Sequence, residues 1–161
     1  MIIVDTSIIS SLAKIGRLEL LKEFSDVWTT AGVIEEIVDS DISSIVNPLS
    51  KSLNDWLNTS TVIDIERIRK IQRDYPSLSY VDSGLIVFCQ KNDAVLLTDD
   101  RKMLEVAEEE FRIDPYDLCE ILLALKNKDV ISEKEIPDII EDLEKKDRYE
   151  FSEEDEERLT K

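Results

Sequence analysis

The chain has 161 residues, with 37 acidic against 20 basic side chains and a formal net charge of −17. That balance argues against passive binding to nucleic acid, which rests on lysine and arginine neutralising phosphates. There is no histidine, which excludes serine–histidine and cysteine–histidine pairs and any imidazole base. The glycines Gly16, Gly32 and Gly84 form neither a dinucleotide fingerprint nor a Walker A loop. Carboxylates and hydroxyls are left to carry any chemistry.

The length suits one domain with a substantial core. No apolar run reaches the ~18 residues that a bilayer crossing needs, and the first residues lack the pattern of a secretory leader. The expectation is a soluble, cytoplasmic protein with no membrane partner. Cys89 and Cys119 both fall in apolar helical patterns and read as buried thiols.

In chain order, Ile2-Ile3-Val4 reads as a short strand buried on both faces and ending at Asp5. A helix follows to Gly16, and a second short one spans Arg17 to Phe24 with Leu18, Leu20, Leu21 and Phe24 inward. Asp26 to Thr30 is a strand. Ala31-Gly32 opens a helix that contains Glu35 and Glu36. Ser43 or Ser44 is expected to cap the next helix, running to about Asn58. Thr61 to Ile65 is expected as a strand, and Ile65, Ile68 and Ile71 as the inner face of the helix after it.

Tyr75-Pro76-Ser77 breaks that helix. Ser79-Tyr80-Val81-Asp82 has the form of a capping box, and the helix it opens, to Lys91, is apolar nearly all round. Ala94 to Leu97 is a strand leading into Thr98-Asp99-Asp100 and a helix with Met103, Leu104 and Ala107 inward. Phe111 to Ile113 is expected as a last strand, and Asp114-Pro115 as the opening of a further helix. Helices near 132–146 and 152–160 follow. Strands alternating with helices predict an α/β, Rossmann-like three-layer fold with a central parallel sheet.

Several acids fall at element ends. Asp5 ends the first strand, and Asp99 and Asp100 follow the strand Ala94–Leu97. Asp82 lies in the first turn of the central helix, and Glu36 (or Glu35) in the helix after the Val27–Thr29 strand. Each has two readings. One is local: Asp5, Asp99 and Asp100 cap helices, Asp82 balances a helix dipole, and Glu35 and Glu36 form a solvated face. The other is collective. In a parallel sheet the strand-end acids share one edge, and a hard cation such as Mg²⁺ or Mn²⁺ would neutralise their mutual repulsion. Such a site performs phosphoryl displacement without histidine.

The ordered set Ile2-Ile-Val-Asp-Thr-Ser7, Val33-Ile-Glu-Glu-Ile37, Tyr80-Val-Asp-Ser-Gly-Leu-Ile86 and Leu96-Leu-Thr-Asp-Asp-Arg101 resembles the PIN-domain family, which includes VapC-type toxin ribonucleases and stand-alone relatives. The resemblance runs from residue 1 to about 126 and implies a PIN-like nuclease domain over residues 1–127, a metal-dependent ribonuclease acting on RNA. It implies that Asp5, Glu36, Asp82 and Asp100 are catalytic, with Asp5, Asp82, Asp99 and Asp100 holding Mg²⁺ or Mn²⁺ and Thr6, Ser7 and Thr98 in support. A homodimer and an antitoxin or regulatory protein are partners it suggests. No zinc ribbon is present, and the chain continues past the point where many such toxins end.

The alternative is a PIN-fold module that binds RNA or protein with little or no cleavage. An aspartate-nucleophile phosphatase fits less well, because Asp5 is followed by Thr-Ser rather than by a second aspartate two residues on.

Arg67-Ile-Arg-Lys-Ile-Gln-Arg73 is the most basic stretch. It reads as a solvated face or as part of an RNA groove with Tyr75 or Tyr80 stacking a base. Arg101 and Lys102, with Arg73, are the expected substrate contacts. Residues 128–161 are expected as an acidic helical extension, packed on or appended to the domain. Residues 129–161 hold 14 acidic and 6 basic side chains. The closing run at Glu153–Glu157 reads as a solubilising tail or as a mask over the basic surface.

Overall fold

Five short parallel strands, in the order β3-β2-β1-β4-β5, form the centre of the computed structural model, which describes residues 1–161. They are β1 (Ile2–Val4), β2 (Val27–Thr30), β3 (Asn58–Ser60), β4 (Val95–Leu97) and β5 (Pro115–Tyr116). Nine α-helices connect and follow them: α1 (Thr6–Lys14), α2 (Ala31–Asp39), α3 (Ser43–Leu53), α4 (Ile65–Asp74), α5 (Tyr80–Asn92), α6 (Arg101–Phe111), α7 (Leu118–Asn127), α8 (Ile136–Asp147) and α9 (Glu153–Thr160). A 3₁₀ helix spans Leu18–Glu23. The expected three-layer α/β fold is the one observed.

Strand β1 is central, paired with β2 on one side and β4 on the other. The chain builds outward from β1 to β3, then crosses back to add β4 and β5. The direction of winding therefore reverses between β1 and β4. In open α/β sheets such a switch point leaves a crevice at the carboxyl ends of the strands. Backbone bonds there pin the end of β4 to both of its neighbours. The Asp5 N–H donates to the Leu97 carbonyl at 2.9 Å, and the Thr98 N–H donates to Tyr116 at 3.0 Å.

Helix α5 is the main internal helix. Ser83 through Cys89 are all buried, so it packs against the sheet, α4 and α6 at once. Because α5 ends two residues before β4 begins, it runs antiparallel to the strands. That delivers its first turn, with Asp82, to the carboxyl edge. Both thiols, Cys89 and Cys119, are buried and unpaired.

The structure corrects several expected boundaries. The third strand is Asn58–Ser60, not Thr61–Ile65, and its register on β2 pairs Thr29 with Thr59. Helix α3 accordingly ends at Leu53, and Ile42, not a serine, occupies its N-cap without a side-chain bond. Ile65 is 48% exposed, while Ile68 and Ile71 are buried as expected. Phe111 ends α6, and the last strand is Pro115–Tyr116. Proline is tolerated there because β5 is an edge strand. The next helix opens at Asp117, whose carboxylate and Glu120 form a reciprocal capping box.

The extension packs on the rest of the chain. Ile136, Ile139 and Leu143 of α8 are fully buried, as is Leu159 of α9. Helix α8 lies against α1, and α9 against α7.

Candidate active site

Asp5 is the organising group. It is 5% exposed, and its backbone is held by the ladder bond to β4. Its carboxylate caps α1, with Oδ1 accepting from the Thr6 N–H at 2.6 Å. Oδ2 accepts from the Thr98 hydroxyl at 2.7 Å and the Ser7 hydroxyl at 3.1 Å. Three of the roughly four lone-pair positions of a carboxylate are thus used. Thr6 also donates from its hydroxyl to Glu36 Oε2 at 2.6 Å. Thr6, Ser7, Thr98 and Glu36 therefore belong to one hydrogen-bonded set around Asp5. Glu35, one residue earlier, has no place in that set.

Asp82 is half-buried. Its Oδ2 accepts from the Ser79 N–H at 2.7 Å, while its own N–H donates to the Ser79 hydroxyl at 3.0 Å. The expected capping box is present in both directions, with aspartate in the usual glutamate position. Burial holds the Asp5 carboxyl above the usual carboxylate range, and the nearby Asp82 charge pushes it further in that direction. The bonds from Thr98, Thr6 and Ser7 act against both. The structure thus sets two carboxylates against each other at the sheet edge.

Asp99 and Asp100 part company. Asp100 caps α6, accepting from the Met103 N–H at 2.9 Å, and its own N–H donates to the Thr98 hydroxyl at 3.2 Å. Asp99 turns towards α7. Its Oδ1 accepts from the Leu118 N–H at 3.0 Å and from the Tyr149 hydroxyl at 3.2 Å. Its Oδ2 is buried without a partner. Burial pushes this carboxyl up to about 6, against the bonds from Leu118 and Tyr149.

The basic residues are spread out. Arg101 is exposed beside Asp100. Lys102 pairs with Glu105 at 3.8 Å. Arg73 lies on the open face of α4 with Arg67, Arg69 and Lys70. Arg67 donates to Gln90 in the last turn of α5, eight residues from Asp82. At 1.5 Å per residue that is about 12 Å along the helix. The Tyr75 hydroxyl donates to Glu110, and its ring stands edge-on to Phe111. Tyr80 is 46% exposed and lines a groove with Glu35, Thr61 and Val62 that opens beside the Asp82 turn.

No three of these acids stand close enough to form a ready-made metal cluster. The donor set nonetheless fits a hard divalent ion. It offers only oxygens, and two of its carboxylates already repel. Mg²⁺ is commonly held by one or two carboxylates with water and substrate phosphate completing its shell. Asp5 and Asp82 are the pair that would hold it.

A parallel sheet with paired carboxylates at its switch point defines a Rossmann-like domain with an acidic edge. Within that class, a family model described as a PIN domain matches residues 1–161, and the chain belongs to the PIN-domain family. No curated protein and no solved structure matches it. The PIN domain is a nuclease-type fold, and its members typically use divalent metals. No helix is long and apolar enough to cross a membrane.

Tyr149 and the Leu118 amide were beyond the sequence patterns. Tyr149 lies 50 residues from Asp99, and nothing local to either residue marks the contact.

Proposed function

We propose that the protein is an endoribonuclease that hydrolyses RNA phosphodiester bonds with Mg²⁺ or Mn²⁺ held by Asp5 and Asp82. The observation that carries this reading is the buried Asp5 carboxylate. It is held by three donors, but burial disfavours its charge and Asp82 adds a smaller push in the same direction, a cost that a cation would relieve. A divalent ion bound there supplies positive charge towards a phosphate and lowers the pKa of a bound water.

The chain's own groups do the positioning. Thr98 and Ser7 hold Asp5 Oδ2, and the Thr6 N–H holds Oδ1. Glu36, bonded to the Thr6 hydroxyl, has a second oxygen available to orient a water. Asp100 caps α6 through Oδ1 and keeps Oδ2 for the cation, and the cap places Arg101, which meets the substrate phosphates together with Lys102 and Arg73. Tyr80 offers a ring face to an unpaired base, since single-stranded RNA is read largely by stacking. Asp99 is a less direct participant, because its Oδ1 is engaged away from Asp5.

The net charge of −17 supports a second reading: a module of the same fold that binds a protein partner, such as an antitoxin or a regulatory protein, and cleaves poorly. Labelled RNAs incubated with Mn²⁺, Mg²⁺ or EDTA, using wild type and Asp5→Asn, decide between the two. Metal-dependent cleavage that Asp5→Asn abolishes is expected. Equal activity in EDTA or in Asp5→Asn would overturn the assignment, and inactivity with every RNA and metal would favour the module.

A further inference from the structure

The C-terminal extension reaches the strand-end acids through a direct hydrogen bond from Tyr149 to Asp99. Helix α8 ends at Asp147, whose carboxylate accepts from the Ser11 hydroxyl and the Lys14 ammonium, each at 2.6 Å. Both donors lie on α1, the helix that Asp5 caps. Arg148 then takes a left-handed conformation with φ 56°, and the Tyr149 N–H bonds back to Leu143 at 3.1 Å. This turn-back sends the Tyr149 ring inward, where it packs edge-on to Phe151 with centroids 4.7 Å apart. Its hydroxyl donates to Asp99 Oδ1.

From Asp99 the path to Asp5 is short. The Asp99 N–H donates to the Ser7 hydroxyl at 3.0 Å, and that hydroxyl donates to Asp5 Oδ2 at 3.1 Å. Thr98, the residue before Asp99, donates to the same oxygen. The Asp99 carboxylate has only one anchored oxygen, because Oδ2 has no partner. Two donors hold that oxygen, Leu118 and Tyr149. Removing either leaves the carboxylate held by a single hydrogen bond.

We propose that Tyr149 is a positioning residue. By clamping Asp99 from the extension, it holds the Thr98–Asp100 turn in the conformation that presents Thr98 and Ser7 to Asp5. The catalytic half of this inference rests on the ribonuclease reading. The structural half does not.

The test is Tyr149→Phe in the full-length chain, which removes one hydroxyl and keeps the ring packing. Metal-free amide hydrogen exchange should quicken about tenfold at Asp99, Asp100 and Leu118, whose amide shares Asp99 Oδ1, with the rest of α7 and α8 unchanged. In the RNA assay kcat should fall about tenfold, with KM within twofold of wild type. Unchanged exchange at Asp99 and Asp100 overturns the proposal, as does wild-type kcat. A uniform loss of protection through α8 also overturns it, since Tyr149 would then only hold the extension in place. If wild type itself cleaves no RNA, the ribonuclease reading fails and the exchange pattern still decides the role of Tyr149.

Discussion

The Asp99 carboxyl makes a quantitative prediction about stability and pH. Its carboxyl is pushed up to about 6 in the folded chain from an ordinary value of 3.8. Between those values the native state binds more protons than the unfolded one, so stability falls as pH rises. At 1.36 kcal/mol per unit, the full effect is about 3 kcal/mol, of which about 1.4 kcal/mol falls between pH 5 and 8. Asp5 is shifted in the same direction and adds to the wild-type slope. Asp99→Asn keeps a carbonyl oxygen for Leu118 and Tyr149 but has no titrating proton to lose. Urea unfolding in EDTA at pH 5, 6, 7 and 8 gives the difference between wild type and variant. That difference should move in the variant's favour by about 1.4 kcal/mol from pH 5 to 8. A difference constant to about 0.3 kcal/mol would refute the reasoning, because a buried and poorly satisfied carboxylate cannot titrate normally.

Thr98→Val removes the donor to Asp5 Oδ2 and the acceptor of the Asp100 N–H. It should cost about 2 kcal/mol in urea unfolding and lower kcat in the RNA assay. Leu85→Ala empties a fully buried position on α5 and should cost about 3–4 kcal/mol, measured the same way. Leu143→Ala should cost about 3 kcal/mol, and the chain should still unfold in one transition if residues 128–161 share the core. A separate early transition would mark the extension as an independent appendage.

The elements that could be read locally are those whose signal is local. Ile2–Val4 and Val95–Leu97 are apolar runs buried on both faces, and Ser79 with Asp82 is a self-contained motif. Strand β3 failed because Asn58-Thr59-Ser60 has no apolar residue, and its strand character comes from pairing with β2. The alternating stretch beside it, Thr61 to Ile65, leaves Ile63 at 77% exposure. Asp114-Pro115 resembles a helix start, but the capping box of Asp117 and Glu120 two residues on fixes the real one. Asp5, Asp82, Thr98 and Asp100 could be placed at the carboxyl edge of the sheet because each ends or starts an element. The role of Asp99 could not, because its partners come from α7 and from the turn beyond α8.

Capping and ligation were rival readings of the strand-end acids, yet the geometry makes them compatible. Asp5, Asp82 and Asp100 each use part of the carboxylate on a helix N-terminus, and the helix dipoles there favour the charge they would lend to a cation. The two roles separate by substitution. Asparagine caps about as well as aspartate, whereas alanine loses about 1 kcal/mol. Asp100→Asn should therefore keep wild-type stability and lose most metal-dependent cleavage, while Asp100→Ala should lose both. Isothermal titration with Mn²⁺ reads binding directly, and urea unfolding in EDTA reads the cap. An Asp100→Asn variant with wild-type cleavage and Mn²⁺ affinity would leave Asp100 as a cap alone. The site would then rest on Asp5 and Asp82, the pair already set in electrostatic opposition at the sheet edge.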